Sequence, residues 1–234
     1  MSEYFFAPQA PVSVAVAGSR RRFAVHRIYC VGLNYADHVR ELGSDPKSPP
    51  VFFMKPADAL VENGAAVPYP SVTHNLHHEI ELVVALDKGG RDIAPEQALG
   101  HIFGYGAGND LTRRDLQKAA KDRGQPWDTA KGFDHSAPLA PLRRASEGHL
   151  TRGRIWLKVN DEPRQDADIS ELIFDVPHVI AALSQLYELR PGDLIFTGTP
   201  AGVGALKVGD RVAGGIEGLP VLTHSIVAPQ GATS

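Results

Sequence analysis

His74–Leu86, HNLHHEIELVVAL, is an apolar run interrupted by two acids, Glu79 and Glu81. Successive side chains of a strand point to opposite faces. Ile80, Leu82, Val84 and Leu86 therefore share one face, while His77, Glu79, Glu81, Val83 and Ala85 share the other. The run reads as a buried strand everywhere except at the two carboxylates. Their alpha carbons stand roughly 6.5 to 7 Å apart, so both side chains can converge on one object. Two bare carboxylates at a partly buried site repel, and one protonates unless a cation lies between them. The stretch alone leaves two readings open: a metal ion held between the acids, or a solvent-exposed face carrying ordinary surface charges.

The surrounding chain restricts what this strand can belong to. Its 234 residues suffice for one large β-rich domain with a substantial core. With 43% hydrophobic and 22% charged residues, and 24 basic against 27 acidic side chains for a net charge of -3, nothing points to nucleic acid. The short basic run Ser19-Arg20-Arg21-Arg22 reads as a solvated hairpin turn between VSVAVAG and FAVHRIYCVG. The one cysteine, Cys30, excludes an internal disulfide and is expected as a buried thiol in a reducing cytoplasm. No basic leader and no apolar run of the ~18 residues that a membrane span requires is present, so no membrane partner is expected.

Along the chain, NYADHVRELG reads as a short helix capped by Asn34 and stopped by Gly43, followed by a proline-rich, mobile loop, SDPKSPP. APEQALGHI, TRRDLQKAAKDRG and VPHVIAALSQLYEL read as helices, and FGYGAGND as turn-rich. IWLKVNDEPRQD is expected as a hairpin turning at Asn160-Asp161, and RPGDLIFTGTPAGVGALKVGDRVAGGIEGL as strands broken by glycines. TGTPAGVG lacks the Gly-Lys-Ser/Thr ending of a P-loop, so its glycines are assigned to tight turns. Strands without regular strand and helix alternation argue against a doubly wound parallel sheet. They indicate an α+β fold on a mixed, rolled β-sheet with peripheral short helices. Residues 1–24 are expected as an N-terminal extended segment and 25–228 as a single catalytic domain.

Asp110, after the small residues of GYGAGN, is placed to join Glu79 and Glu81 as a third carboxylate. An oxygen-only set suits a hard octahedral cation, Mg2+ or Mn2+. His77 on the same face raises the alternative of Zn2+ or Fe2+, against the expectation that it orients a ligand from behind. His38 and Glu41, three residues apart on one helical face, make a dyad able to activate water, or an inconsequential surface pair. Lys131, Arg114 and Gln117 offer cationic and amide donors, the last two on one helical face; spacing alone equally allows them to be surface residues.

YCVGLNYADHVRELG, PPVFFMKPADALV, HHEIELVVAL, GYGAGNDLTRRDLQ, PWDTAKGFDHSAP, VNDEPRQ and GDLIFTGTPAGVG, in that order, resemble the fumarylacetoacetate hydrolase family from about Ile28 to Leu222. The resemblance implies that Glu79, Glu81 and Asp110 bind the metal, that His38 and Glu41 activate water beside Lys131, and that Arg114, Gln117 and Thr199 contact substrate or oxyanion. It implies hydrolysis of a carbon–carbon bond in a small keto acid, a 3-acylpyruvate, with fumarylpyruvate from gentisate-type aromatic degradation expected first. A general acylpyruvase or an oxaloacetate decarboxylase is the alternative. It further implies a homodimer. Family members of this type read Gly-Arg-Asn-Tyr where this chain reads Gly32-Leu33-Asn34-Tyr35, so any contact from that arginine is missing. Arg40 and Lys47 are the candidates nearest in sequence to receive a distal carboxylate.

Overall fold

The computed structural model describes residues 4–41 and 50–229. Its largest sheet has eight strands. Seven run in the order β4 (Val51–Lys55), β3 (Ile28–Gly32), β15 (Leu194–Phe196), β8 (Ile80–Leu86), β9 (Ile102–Asn109), β11 (Ala137–Leu139) and β5 (Leu60–Glu62), and β12 (Arg143–Arg144) also pairs with β9. A five-stranded sheet follows the order β14 (Glu162–Asp168), β13 (Arg154–Val159), β17 (Arg211–Ile216), β18 (Leu222–Val227) and β6 (Ala66–Pro68). Two small sheets complete the set: β10 (Thr112–Arg113), β7 (Leu76–His78) and β16 (Gly204–Ala205) form one, and the hairpin β1 (Ser13–Ala15) and β2 (Arg22–Ala24) the other. Parallel pairs such as β3 with β15 sit among antiparallel ones. The fold is thus α+β on a mixed, curled sheet. Its helices are short: α1 (Ala36–Glu41), α2 (Pro95–Ala98), α3 (Arg114–Asp122), α4 (Asp128–Lys131) and α5 (Val176–Leu186).

The alternation in His74–Leu86 is realised side by side in two cores. Ile80, Leu82, Val84 and Leu86 join Ile155, Leu157, Val212, Leu222 and Ile226 of the five-stranded sheet, so the two large sheets enclose one core. Val83 and Ala85, on the opposite face, pack with Cys30, Phe196 and with Val14, Val16 and Phe23 from the N-terminal hairpin. Burying an apolar side chain is worth roughly 1.5 to 3 kcal/mol, and β8 is buried along its whole length. The basic run lies at the turn of the β1–β2 hairpin, and Asn160 and Asp161, both at positive φ, turn the β13–β14 hairpin. Cys30 is fully buried; burial, and next the charge on Asp110, push its thiol well above the ordinary range, as a structural cysteine requires.

Two local expectations are overturned. FGYGAGN is not a turn but most of the central strand β9, which pairs with β8 along nearly its full length. Its glycines admit close neighbours: a Cβ on Gly104 would lie 2.3 Å from the Arg143 carbonyl oxygen, and one on Gly108 would lie 2.6 Å from the Phe196 ring and the Val83 side chain. Asn34 does not cap α1. Its Nδ2 donates to the carbonyls of Phe174 and Thr197, and its Oδ1 accepts from the Phe174 N–H, so it ties three segments together. The stop at Gly43 and most of the proline-rich loop lie outside the described residues.

Candidate active site

Between β7 and β8 the chain leaves the ladder for one residue, Glu79. Its N–H is taken by the Asn109 side chain at 2.8 Å and its carbonyl by the Asp110 N–H at 2.8 Å. This break brings Glu79 over the start of β8 and the end of β9, where Glu81 and Asp110 project. One carboxylate oxygen from each of the three acids lies within 4.8 Å of the other two, and all three side chains are buried. The solvent-exposed reading of Glu79 and Glu81 is therefore excluded.

Buried cations face this triad. Lys131, at the end of α4, donates to Glu79 Oε2 and to Asp110 Oδ2, each at 2.7 Å. Burial disfavours its charge, but Asp110 and Glu79 more than compensate and hold its pKa above the ordinary value. Arg114, at the start of α3, reaches the other oxygen of Glu79 and donates to Gln117 Oε1 at 2.5 Å. Lys131, Arg114 and Gln117 are thus site groups and not surface residues. Burial works against the charged form of Glu79 as well, yet Lys131 and then Arg114 keep its carboxyl below the usual range.

Glu81 has no such cation. Its Oε2 accepts only the Gly198 N–H, at 2.8 Å. Burial first, then repulsion from Asp110 and Glu79, pushes its carboxyl well above the ordinary range. Gly198 can present that N–H because it sits at a φ of 104°, where a Cβ would also meet Asn34 at 2.7 Å. Lys55 Nζ lies 2.8 Å from Asp110 Oδ1, but without hydrogen-bond geometry, so this buried oxygen has no hydrogen-bond partner among the described residues. An oxygen-only set of three buried carboxylates, with Glu81 held by a single N–H, fits a hard divalent cation.

Lys55 itself was not singled out from sequence. The available signal was a lysine directly after the apolar Val51-Phe52-Phe53-Met54, a strand position where an ammonium must find partners inside. It finds them in Asp110 and in the carbonyls of Leu111 and Lys131. His77 stands apart from the triad. Asn75 Oδ1 lies 2.9 Å from its Nε2, and its Nδ1 accepts from Arg114 Nε at 3.4 Å, which makes it a support for the arginine. Burial, then Arg114, lowers it to about 4, so the ring is neutral.

On α1, the His38 Nδ1–H donates to Glu41 Oε2 at 2.9 Å, which leaves Nε2 outside this bond. His38 is buried and Glu41 is part-exposed. The dyad, the three acids, Arg114, Gln117, Lys131 and Thr199 all line one cavity of about 370 Å³. Val31, Leu33, Phe53 and Trp127 give the cavity apolar lining, and on α3 Lys118, Lys121 and Asp122 join Arg114 and Gln117. Leu33 occupies this wall at a φ of 62°, a conformation that a leucine rarely adopts. Arg40, in contrast, pairs with Asp37 on the exposed side of α1, and Lys47 lies outside the described residues.

The chain is similar to several known proteins. The fumarylpyruvate hydrolase of a Ralstonia species is 43% identical over 175 residues, 75% of this chain and 91% of the relative. The mitochondrial oxaloacetate tautomerase of Homo sapiens is 41% identical over 206 residues, 87% and 92% of the two chains. The crystal structure of fumarylpyruvate hydrolase from Pseudomonas aeruginosa in complex with Mn2+ and pyruvate superposes with a TM-score of 0.95 at 51% identity, covering 97% of this chain and 100% of that one. The fumarylacetoacetate (FAA) hydrolase C-terminal family matches residues 27–227, and the chain belongs to the fumarylacetoacetate hydrolase family.

Proposed function

We propose that this protein is a metal-dependent hydrolase that cleaves a carbon–carbon bond in a 3-acylpyruvate, with fumarylpyruvate, split to fumarate and pyruvate, as its substrate. The observation that carries this reading is that the water-activating pair His38–Glu41 shares one cavity with the buried acids. A binding protein without turnover has no use for that pair.

Glu79, Glu81 and Asp110 are the residues that would hold Mg2+ or Mn2+. When bound, the cation supplies Lewis-acid stabilisation of the pyruvate enolate that leaves. His38 accepts a proton from water at Nε2 while Glu41 stabilises the imidazolium through Nδ1. The water oxygen bonds to the acyl carbonyl carbon, and Arg114, Gln117 and Lys131 donate to the oxyanion that forms there. As the carbon–carbon bond breaks, its electron pair passes to the pyruvate methylene carbon, which is then protonated, and the acyl group departs as a carboxylate. Thr199 meets the keto acid end.

The acyl end of the substrate would lie along α3. Arg114, Gln117, Lys118 and Lys121 follow helical spacing along the cavity, a stripe of about 10 Å at 1.5 Å per residue. Lys118 pairs with Asp122, which lines the same cavity, so Lys121, without a salt bridge among the described residues, is the cation of this stripe that suits a second carboxylate, the group that distinguishes a fumaryl from an acetyl substrate. Residues 25–228 would act as one catalytic domain with 1–24 as an added extended segment, a division that the family match over 27–227 supports. The same reading implies a cytoplasmic homodimer acting late in gentisate-type aromatic degradation.

The test is a panel of fumarylpyruvate, acetylpyruvate and oxaloacetate assayed with Mg2+ and with Mn2+. Pyruvate release should cease on chelation while far-UV circular dichroism is unchanged. Fumarylpyruvate should be favoured over acetylpyruvate by about tenfold to a hundredfold in kcat/KM, as one charge-assisted contact allows. Full activity after exhaustive chelation would sink the metal reading. Equal rates would make the enzyme a general acylpyruvase. The tautomerase relatives favour oxaloacetate as the second reading. Tautomerisation and decarboxylation consume no water, so oxaloacetate turnover that survives His38→Gln would put that reading first.

A further inference from the structure

β14 is exposed or half-exposed at every position except one: Gln165 is buried, its amide turned inward between the break at Glu79 and the turn after β15. All four of its hydrogen-bonding positions are used. Oε1 accepts from the Ile80 N–H at 3.1 Å and from His78 Nδ1 at 3.0 Å. Nε2 donates to the Pro200 carbonyl at 2.9 Å and to Thr199 Oγ1 at 2.8 Å. Two of these partners have fixed roles, since a backbone N–H only donates and a carbonyl only accepts, so the amide cannot be flipped. Thr199 Oγ1 is therefore an acceptor towards Gln165. Its own hydrogen has no acceptor among the described residues, and Thr199 lines the cavity.

We propose that Gln165 is a positioning residue that makes the Thr199 hydroxyl an obligate hydrogen-bond donor to a carboxylate oxygen of the bound 2-oxo acid. Thr199 follows directly on Gly198, whose N–H holds Glu81, so the hydroxyl stands beside the acid triad where the keto acid end belongs. Without the amide, the hydroxyl is free to turn its hydrogen back into the protein and present a lone pair, which repels a carboxylate. The same amide grips the residues on either side of Glu79, and so ties the geometry of that acid to the polarity of the hydroxyl. The inference rests on the keto acid reading given under Proposed function.

The experiment measures pyruvate and oxalate affinity of the Mn2+-loaded protein by calorimetry, with Mn2+ affinity as a control. Thr199→Val should weaken pyruvate binding about tenfold, one hydrogen bond to a charged group, and Thr199→Ser should restore it. Gln165→Glu, which puts an acceptor where the donor stood, should weaken pyruvate binding at least as much. In the Thr199→Val background it should cost nothing further, because no hydroxyl remains to orient. Equal losses from Gln165→Glu in both backgrounds would overturn the proposal. Should that variant not fold, unchanged pyruvate affinity in Thr199→Val, which leaves the other three bonds of Gln165 in place, would overturn it too. Pyruvate binding with this pattern but no acylpyruvate hydrolysis would instead defeat the hydrolase reading and leave this one standing.

Discussion

His38 is useful as a base only because one of its nitrogens is already committed. With Nδ1–H donated to Glu41 at 2.9 Å, the ring has one orientation and one basic nitrogen. The neighbours of the dyad have other tasks: Arg40 pairs with Asp37 away from the cavity, and Asn34 is spent on Phe174 and Thr197. Replacing His38 by glutamine keeps a donor for Glu41 and nearly the same volume but removes the proton acceptor. Hydrolysis of an acylpyruvate should fall by roughly 10² to 10⁴, the usual contribution of a positioned general base. Pyruvate affinity of the metal-loaded protein should stay within a few-fold, because Arg114, Lys131 and Thr199 are untouched. Retained hydrolysis with lost pyruvate affinity would make His38 a binding residue. Leu33 is the complementary case. An apolar side chain lines the wall at this position, and the cations of the cavity come from α3, with Arg114, Lys118 and Lys121, and from α4, with Lys131.

At the scale of elements, strand β9 shows where reading residues one by one fails. Glycine is a turn former when only local conformation is weighed, and Gly104, Gly106 and Gly108 suggested turns on that ground. None of the three has positive φ; each is needed because another chain segment presses on it. That pressure is a tertiary fact invisible in a window of ten residues. Local patterns decided other elements correctly: the alternation in β8, the spacing of Arg114 and Gln117 on α3, and the Asn160-Asp161 turn all depend on near neighbours in sequence. The convergence of Glu79 and Glu81 was legible from the strand period, but Lys55, the cation beside Asp110, was not, because its contacts come from residues more than fifty positions away. The account of β9 makes a paired prediction. Gly104→Ala drives a methyl into the Arg143 carbonyl, backbone that cannot swing aside, and should cost about 1 to 3 kcal/mol in denaturant unfolding. Gly100→Ala, with open space around its Cβ and no positive φ, should be neutral or slightly stabilising. Equal effects from the two would mean that the glycines of β9 are not there for close packing.

For the molecule as a whole, the site lies on the eight-stranded sheet beside α1, α3 and α4, and hydrogen bonds run from its acids to the five-stranded sheet. His224 on β18, from the five-stranded sheet, accepts from Asn109 Nδ2 at 2.9 Å; Asn109 in turn holds the Glu79 N–H. His224 is buried, and its Nδ1 has no partner among the described residues. Burial, and then the neighbouring His78, lower its pKa from 6.5 to about 4. The sign of the linkage follows. In the unfolded chain this imidazole takes up its proton as pH falls through 6.5, while in the folded protein it stays neutral until about 4. Stability from this group is thus complete above pH 6.5 and is lost progressively as pH falls towards 4, by on the order of 2 to 3 kcal/mol at the end of that window. His77 and His78, also lowered by burial, add to the loss, and Glu81, pushed upward, opposes it. The raw pH curve therefore mixes several groups, and the informative quantity is the difference made by removing one. His224→Met should be less stable than the unaltered protein at pH 7.5, where a good hydrogen bond to Asn109 is lost. Its stability should also decline less steeply between pH 6.5 and 5, a range above the ordinary carboxylate values. Urea unfolding at pH 7.5, 6.5 and 5 reads both effects. Parallel declines for the two proteins would show that the imidazole of His224 titrates normally inside the fold and that burial behind the acids does not hold it neutral.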